Sequence, residues 1–331
     1  MYNFCTLFDS FYLTRGITMY QSLEKTGVNF HLYIFAFDDT SFKILNQLNF
    51  KHATIITLKE FENEQLLAVK PTRSKAEYCW TCTSSTILHV LTHFNVDNCT
   101  YVDADLFFYS SPEVLLNEMG EKSVLITEHR YTPKYDRSAI AGTYCVQFIT
   151  FKKNEEGLTA LNWWVNACLT WCFDRYEDGK FGDQKYLDDW TTRFKGVHVL
   201  QHLGGGLAPW NIQQYNITKK TIGLNIELNE LSSNIKFNAI FYHYHYVRFY
   251  SKQLVDLGWF KLKKNIVTTF YANYIKELHN ALVLVQSIEP NFKEGLRPFS
   301  IKNADTVKEK LKIIFKMVTK YNLYSLPKFL K

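Results

Sequence analysis

No apolar run in the sequence is long enough to cross a bilayer. The longest, such as Ala281-Leu282-Val283-Leu284-Val285, fall far short of the roughly 20 residues a spanning helix needs. The start of the chain lacks the basic-then-apolar pattern of a secretory leader, since Met1-Tyr2-Asn3-Phe4 runs directly into a strand pattern. These two absences predict a cytoplasmic protein, at most peripheral on the inner face of its membrane. Paired cysteines are also missing. The seven cysteines are odd in number and scattered, and Cys79-x-x-Cys82 has no second pair nearby to complete a zinc site, so buried free thiols are expected. Repeats and low-complexity tracts are absent. Charged residues make up 21% of the chain against 47% hydrophobic, which excludes a disordered chain and supplies one large core.

The net charge of +6 is unevenly placed. Lys302, Lys308, Lys310, Lys312, Lys316, Lys320, Lys328 and Lys331 face only Asp305 and Glu309 beyond residue 300, so the rest of the chain is close to neutral and nucleic acid is not an expected partner. The last amphipathic pattern, 303–321, sets Val307, Leu311, Ile314, Phe315 and Val318 opposite those lysines. It reads as a packed surface helix or, alternatively, as a contact with an anionic membrane face.

Apolar periodicity gives strands at 2–8, 30–37, 53–57, 100–102, 123–127, 143–151 and 197–200. Helices are predicted at 12–25, 39–50, 59–69, 76–94, 155–175 and 265–288, with another starting at Asp183. Strands alternating with helices at this pitch predict an α/β fold built on a mixed, mainly parallel sheet. Residues 1–260 would form the main domain, and 261–331 a basic helical extension.

Ligands of such sheets sit beyond the carboxyl ends of the strands, where Asp9 and Asp38 fall. At one of these ends stands Tyr101-Val102-Asp103-Ala104-Asp105-Leu106-Phe107-Phe108. Alternate residues of an extended segment face the same way, so Asp103 and Asp105 can address one object. Two carboxylates at the edge of an apolar core repel each other and cost several kcal/mol if desolvated without compensation, which makes a hard divalent cation, Mn²⁺ or Mg²⁺, their natural partner. Oxygen ligands leave such an ion open positions for phosphate oxygens. The bland alternative is a loop with two solvated aspartates.

Other segments gain weight beside this one. In Ala239-Ile240-Phe241-Tyr242-His243-Tyr244-His245-Tyr246, His243 and His245 share a face of a strand, offering an imidazole to a cation, and Arg248 follows with charge for a phosphate. Lys70-Pro71-Thr72-Arg73-Ser74-Lys75 gathers three cations, with Arg73 set for phosphate contact or for solvent. Gln147 is polar in an apolar row and must be paired, by backbone or by ligand hydroxyls. Gly204-Gly205-Gly206 permits close backbone approach to a ligand or a tight bend. Asp183 either caps the helix that follows or joins Gln184 in the site.

Taken in order, Thr6-Leu7-Phe8-Asp9-Ser10-Phe11-Tyr12, Tyr101-Val102-Asp103-Ala104-Asp105, Gly182-Asp183-Gln184-x-x-Leu187 and the His-aromatic segment resemble nucleotide-sugar glycosyltransferases of the GT-A fold, nearest to the glycogenin-like and lipopolysaccharide galactosyl- and glucosyltransferase group. The resemblance covers about residues 2–250. It implies transfer of a sugar, with retention, from a nucleotide-diphosphate donor such as a UDP-sugar to a hydroxyl of a cell-surface glycan or glycolipid. Donor contacts are then expected at Thr6, Phe8, Asp9, Tyr12, Arg73, Ala104, Gln147, Gly205 and Arg248, with Asp9 and Tyr12 at the nucleoside. Asp103 and Asp105 would hold the metal together with His243, or with His245 as the rival, and Asp183 and Gln184 would lie beside the donor sugar. The family's His-aromatic-x-Gly-x-x-Lys-Pro-Trp stands here as His243-Tyr244-His245-Tyr246-Val247-Arg248-Phe249, and its Asn-x-Gly strand motif as Cys145-Val146-Gln147. A metal-dependent phosphoryl transferase and a non-catalytic sugar- or nucleotide-binding protein are the competing readings.

Overall fold

The computed structural model describes residues 1–220, 225–250, 253–297 and 306–330. Its centre is a seven-stranded sheet of β1 (Tyr2–Phe8), β2 (Phe30–Ala36), β3 (Ala53–Thr57), β4 (Asn98–Val102), β6 (Val124–Glu128), β7 (Tyr144–Lys152) and β8 (Val197–Val199), in the order β3-β2-β1-β4-β7-β6-β8. β5 (Leu106–Phe108) lies outside it. All neighbours pair in parallel except at β7, which runs against both β4 and β6. The fold is thus α/β with a mixed, mainly parallel sheet, as the alternating pattern predicts.

β1 shows why the sheet is buried on both faces. Phe4 and Phe8 point into one apolar cluster, Cys5 and Leu7 into another. The first cluster is closed by helices α1 (Leu13–Lys25), α2 (Asp39–Leu48) and α5 (Ala272–Ile288), the second by α3 (Lys75–His93) and α4 (Glu155–Thr170). Each large side chain buried this way contributes ~1.5–3 kcal/mol. Close approach of α1 to β1 depends on Gly16, where a Cβ would stand 2.3 Å from the Phe8 ring.

Boundaries depart from the periodicity where side chains intervene. The expected helix 59–69 is split into Leu58–Phe61 and Glu64–Val69, because Thr57 and Asn63 each cap a new N-terminus. The helix expected to reach 175 ends at Thr170. Asp183 caps nothing: the next element is a 3₁₀ turn, Lys185–Asp189, whose preceding residue is Gln184. The expected strand 239–246 contracts to β13 (Phe241–His243), since the chain turns immediately afterwards and Tyr246 takes φ 77°.

β13 pairs antiparallel with β5 and parallel with β9 (Gly205–Leu207) in a small sheet beside the main one. Three further strands, β10 (Tyr215–Lys220), β11 (Ile226–Glu230) and β12 (Lys236–Asn238), form an antiparallel meander. The C-terminal part contains more than helices. β14 (Arg248–Tyr250), β15 (Leu254–Asp256), β16 (Leu296–Arg297) and β17 (Leu323–Ser325) form a sheet ordered β16-β14-β15-β17. Residues 303–305 of the final helix expected from the sequence lie outside the described residues, and the helix is seen as α6 (Val307–Thr319). Its Lys316 is buried against Asp256 and the carbonyl of Gly258. All seven cysteines are free. Among the described residues, no helix is long and apolar enough to cross a membrane.

Candidate functional site

Since β1, β2 and β4 run in parallel, Asp9, Asp38 and Asp103 emerge at one edge of the sheet. The antiparallel β7 passes the same edge, where the Asp103 amide donates to the Gln147 carbonyl over 3.1 Å. After Asp105 the chain enters β5, whose antiparallel pairing sets His243 opposite Leu106, and the Tyr244 amide donates to the Asp105 carbonyl over 2.9 Å. Two separate ladders therefore bring residues about 140 positions apart in sequence to one point. His243 Nε2 lies 3.1 Å from Asp105 Oδ1 and 3.8 Å from Asp103 Oδ2. One ligand atom from each of Asp103, Asp105 and His243 falls within a 4.8 Å cluster.

The three side chains shift one another's protonation strongly. Burial pushes the Asp105 carboxyl up, but the adjoining His243 ring outweighs it and holds the group below the usual carboxylate range. His243 is held well above the ordinary imidazole value: burial opposes the charged ring, and the two carboxylates favour it more strongly. Asp103 is pushed up to about 7, chiefly by burial and also by Asp105, while His243 opposes the rise. Asp183, 6% exposed, is pushed up to about 8 by burial and by Asp103. Two carboxylates and one imidazole, with one ligand atom from each gathered at one point, form a donor set that fits a hard divalent ion.

The cluster opens on a cavity of about 1020 Å³. Of the residues expected from the sequence, Phe8, Asp9, Tyr12, Asp103, Ala104, Asp105, Asp183, Gln184, His243 and His245 line it. Asp9 turns the chain there, its Oδ1 accepting from the amides of Phe11 and Tyr12. Gln184 Nε2 donates to the Ala141 carbonyl over 2.7 Å. His245 stands outside the three-residue cluster, exposed and edge-on to Trp210.

Thr6, Arg73, Gln147, Gly205 and Arg248 are not on the cavity wall. Thr6 is buried within β1. Arg73 packs on the Phe173 ring at 3.9 Å and donates to the Leu169 carbonyl. In the same loop Lys70 pairs with Glu62, which leaves Lys75 of the three cations at the cavity. Gly205 is absent from the wall because its Cα faces the side chains of Leu200 and Leu115 in the core. Arg248 stacks on Tyr246, its guanidinium 4.1 Å from the ring centre.

Sequence reasoning missed an aromatic wall made by loops. His129 stacks on Tyr131 at 4.5 Å, Trp210 meets His129, His243 and Phe260 edge-on, and Tyr135 packs on Phe260. The Trp210 ring is fixed by its indole N–H, which donates to the His129 carbonyl over 2.9 Å. Nothing in the local periodicity marks these positions, although Trp210, four residues beyond the glycine run, was a usable signal.

No family model matches the chain. Among solved structures, it is similar to galactosyltransferase LgtC in complex with donor and acceptor sugar analogues, with 11% identity, a TM-score of 0.48, and 86% of this chain and 95% of that one covered. It is also similar to the bifunctional glycosyltransferase WbbM, with 11% identity, a TM-score of 0.49, and 86% and 51% covered. In Bacillus subtilis (strain 168) the uncharacterized protein YfnD is 28% identical over 306 residues, covering 90% of this chain and 95% of the relative. The uncharacterized protein YfnF of the same organism is 31% identical over 225 residues, or 66% of this chain and 74% of YfnF. By that identity and span, the chain belongs to the same protein family as YfnF.

Proposed function

We propose that the protein is a metal-dependent glycosyltransferase of the GT-A type, taking a sugar from a nucleotide-diphosphate donor, a UDP-sugar, and delivering it with retention to a hydroxyl of a cell-surface glycan or lipid-linked acceptor. The observation that carries this reading is the convergence of Asp103, Asp105 and His243 at the wall of a large cavity beyond the carboxyl ends of parallel strands. Those three residues would hold Mn²⁺ or Mg²⁺, which when bound supplies positive charge to the diphosphate leaving group.

The remaining chemistry falls to the chain's own groups. Asp9 and Tyr12, at the turn after β1, receive the nucleoside. Gln184, whose amide nitrogen is engaged by Ala141, keeps its carbonyl oxygen for the sugar, and Asp183 lies beside it, where its carboxyl, once ionised, would face the positive charge that builds at the anomeric carbon. As the bond from that carbon to the phosphate oxygen breaks, the acceptor oxygen forms its new bond from the same side, and the acceptor proton passes to the departing diphosphate. Trp210, Tyr131 and Phe260, which line the cavity, would limit the access of competing water to the donor. We further assign residues 261–331 to a basic C-terminal extension whose last helix, α6, makes peripheral contact with the inner membrane face. Val307, Leu311 and Phe315 of α6 are exposed, and the segment is rich in lysine.

The test is a panel of nucleotide sugars incubated with and without Mn²⁺, with release of nucleoside diphosphate as the readout. Metal-dependent release from one donor, lost on Asp103→Ala, is expected. Release of inorganic phosphate instead would favour phosphoryl transfer. An absence of any metal-dependent nucleotide binding would leave a non-catalytic binding protein.

A further inference from the structure

Gln147 sits in β7 with no solvent exposure, and its Oε1 lies 2.7 Å from His243 Nδ1. A carbonyl oxygen can only accept, so this contact requires the ring proton on Nδ1. In the neutral ring Nε2 then carries a lone pair, and Nε2 is the atom facing Asp105 Oδ1 and Asp103 Oδ2. With the amide reversed, its nitrogen would donate to Nδ1. The ring proton would then move to Nε2, and the imidazole could not bind a cation from that side.

Two observations set this contact apart from ordinary packing. The Gln147 Nε2 atom is buried with no hydrogen-bond partner. Such an orphan is a standing cost that a methionine or leucine at the same place would not carry. Gly206, with φ 115°, is also shaped to the amide: a Cβ there would lie 3.2 Å from that nitrogen and 3.1 Å from Thr127 Cγ2. The chain tolerates an unsatisfied donor and a left-handed glycine beside a side chain that accepts from the His243 ring.

We propose that Gln147 is a positioning residue for the cation site, holding His243 as its Nδ1–H tautomer with Nε2 directed between Asp103 and Asp105. This rests on the cation-site reading above. It gives Gln147 a role through a histidine 96 positions away, in place of the direct contact with donor hydroxyls expected from the sequence. Groups that fix the far nitrogen of a metal-binding imidazole typically change metal affinity 10–100-fold when removed.

The experiment is Mn²⁺ binding to the full chain, followed by electron paramagnetic resonance of the free ion, for the wild type, Gln147→Met, Gln147→Glu and Asp105→Asn. Gln147→Met is expected to weaken binding about 10–100-fold. Gln147→Glu, whose carboxylate accepts the same proton, is expected to restore it to within a few-fold of wild type. If Gln147→Met binds as wild type does while Asp105→Asn has lost the ion, the positioning role is overturned and the cation site stands. If Asp105→Asn still binds normally, the cation site itself falls, and the inference with it. A second measurement needs no variant: ¹⁵N shifts of His243 in the Mg²⁺-saturated wild-type protein should place the ring proton on Nδ1, and a proton on Nε2 would overturn the assignment.

Discussion

At the scale of single residues, the acid–base state of the metal-free cluster makes two predictions. His243 is held well above its ordinary value and Asp103 stands near 7, so at pH 7 the cluster carries protons that a divalent ion, if it binds there as proposed, would displace. Calorimetry of Mn²⁺ binding in buffers of different ionisation enthalpy should detect release of at least about one proton, and the affinity should fall as pH is lowered. Asp183 supplies the second. Its folded value, raised to about 8, means the folded state binds an extra proton between the unfolded value and that pH, so stability declines as pH rises through this window. Asp183→Asn removes that slope. In EDTA, urea titrations should show the variant gaining on wild type by about 1 kcal/mol per pH unit between pH 5 and 7, because a single fully titrating group contributes 1.4. Asp103 and Asp105 were legible in the sequence since a period of two in an extended segment is a local property. His243 was legible as one of a pair, and the choice between His243 and His245 was not, because it depends on where β13 stops. Gln147 stood out as polar in an apolar row, yet its partner lies on another ladder that no local pattern reveals.

At the scale of elements, the site depends on how closely α1 lies on β1, since the turn between them carries Asp9 and Tyr12. Gly16→Ala would drive a methyl group into the Phe8 ring, and forced overpacking of this kind costs about 1–3 kcal/mol. The expected outcome is a lower urea midpoint with an unchanged slope, together with weaker nucleotide binding at constant Mn²⁺ affinity, because the proposed cation ligands lie on other elements. The strands of the main sheet were readable because continuous apolar runs bounded by Asp, Asn and Gly leave little choice. The reversal of β7 was not, because an apolar strand buried on both faces looks the same in either direction. The aromatic wall belongs to loops, where neither the helix nor the strand period operates.

At the scale of the whole molecule, the segment after His243 is tied to the C-terminal part by the sheet β16-β14-β15-β17 and by Lys316 of α6, which is buried against Asp256 of β15. Removing one member of a buried ion pair leaves the other uncompensated, at about 3–5 kcal/mol. Lys316→Met should therefore lower the denaturation midpoint markedly, and Lys316→Met combined with Asp256→Leu should recover much of the loss. The same sheet sets an order on assembly. β4, with its acidic pair, can form from the first third of the chain, whereas β15 has an open edge until Leu323–Ser325 has been synthesised and has folded back onto it. A nascent or truncated chain that stops short of Leu323 would leave that edge of β15 bare, a species prone to self-association even though every residue lining the cavity has already been made.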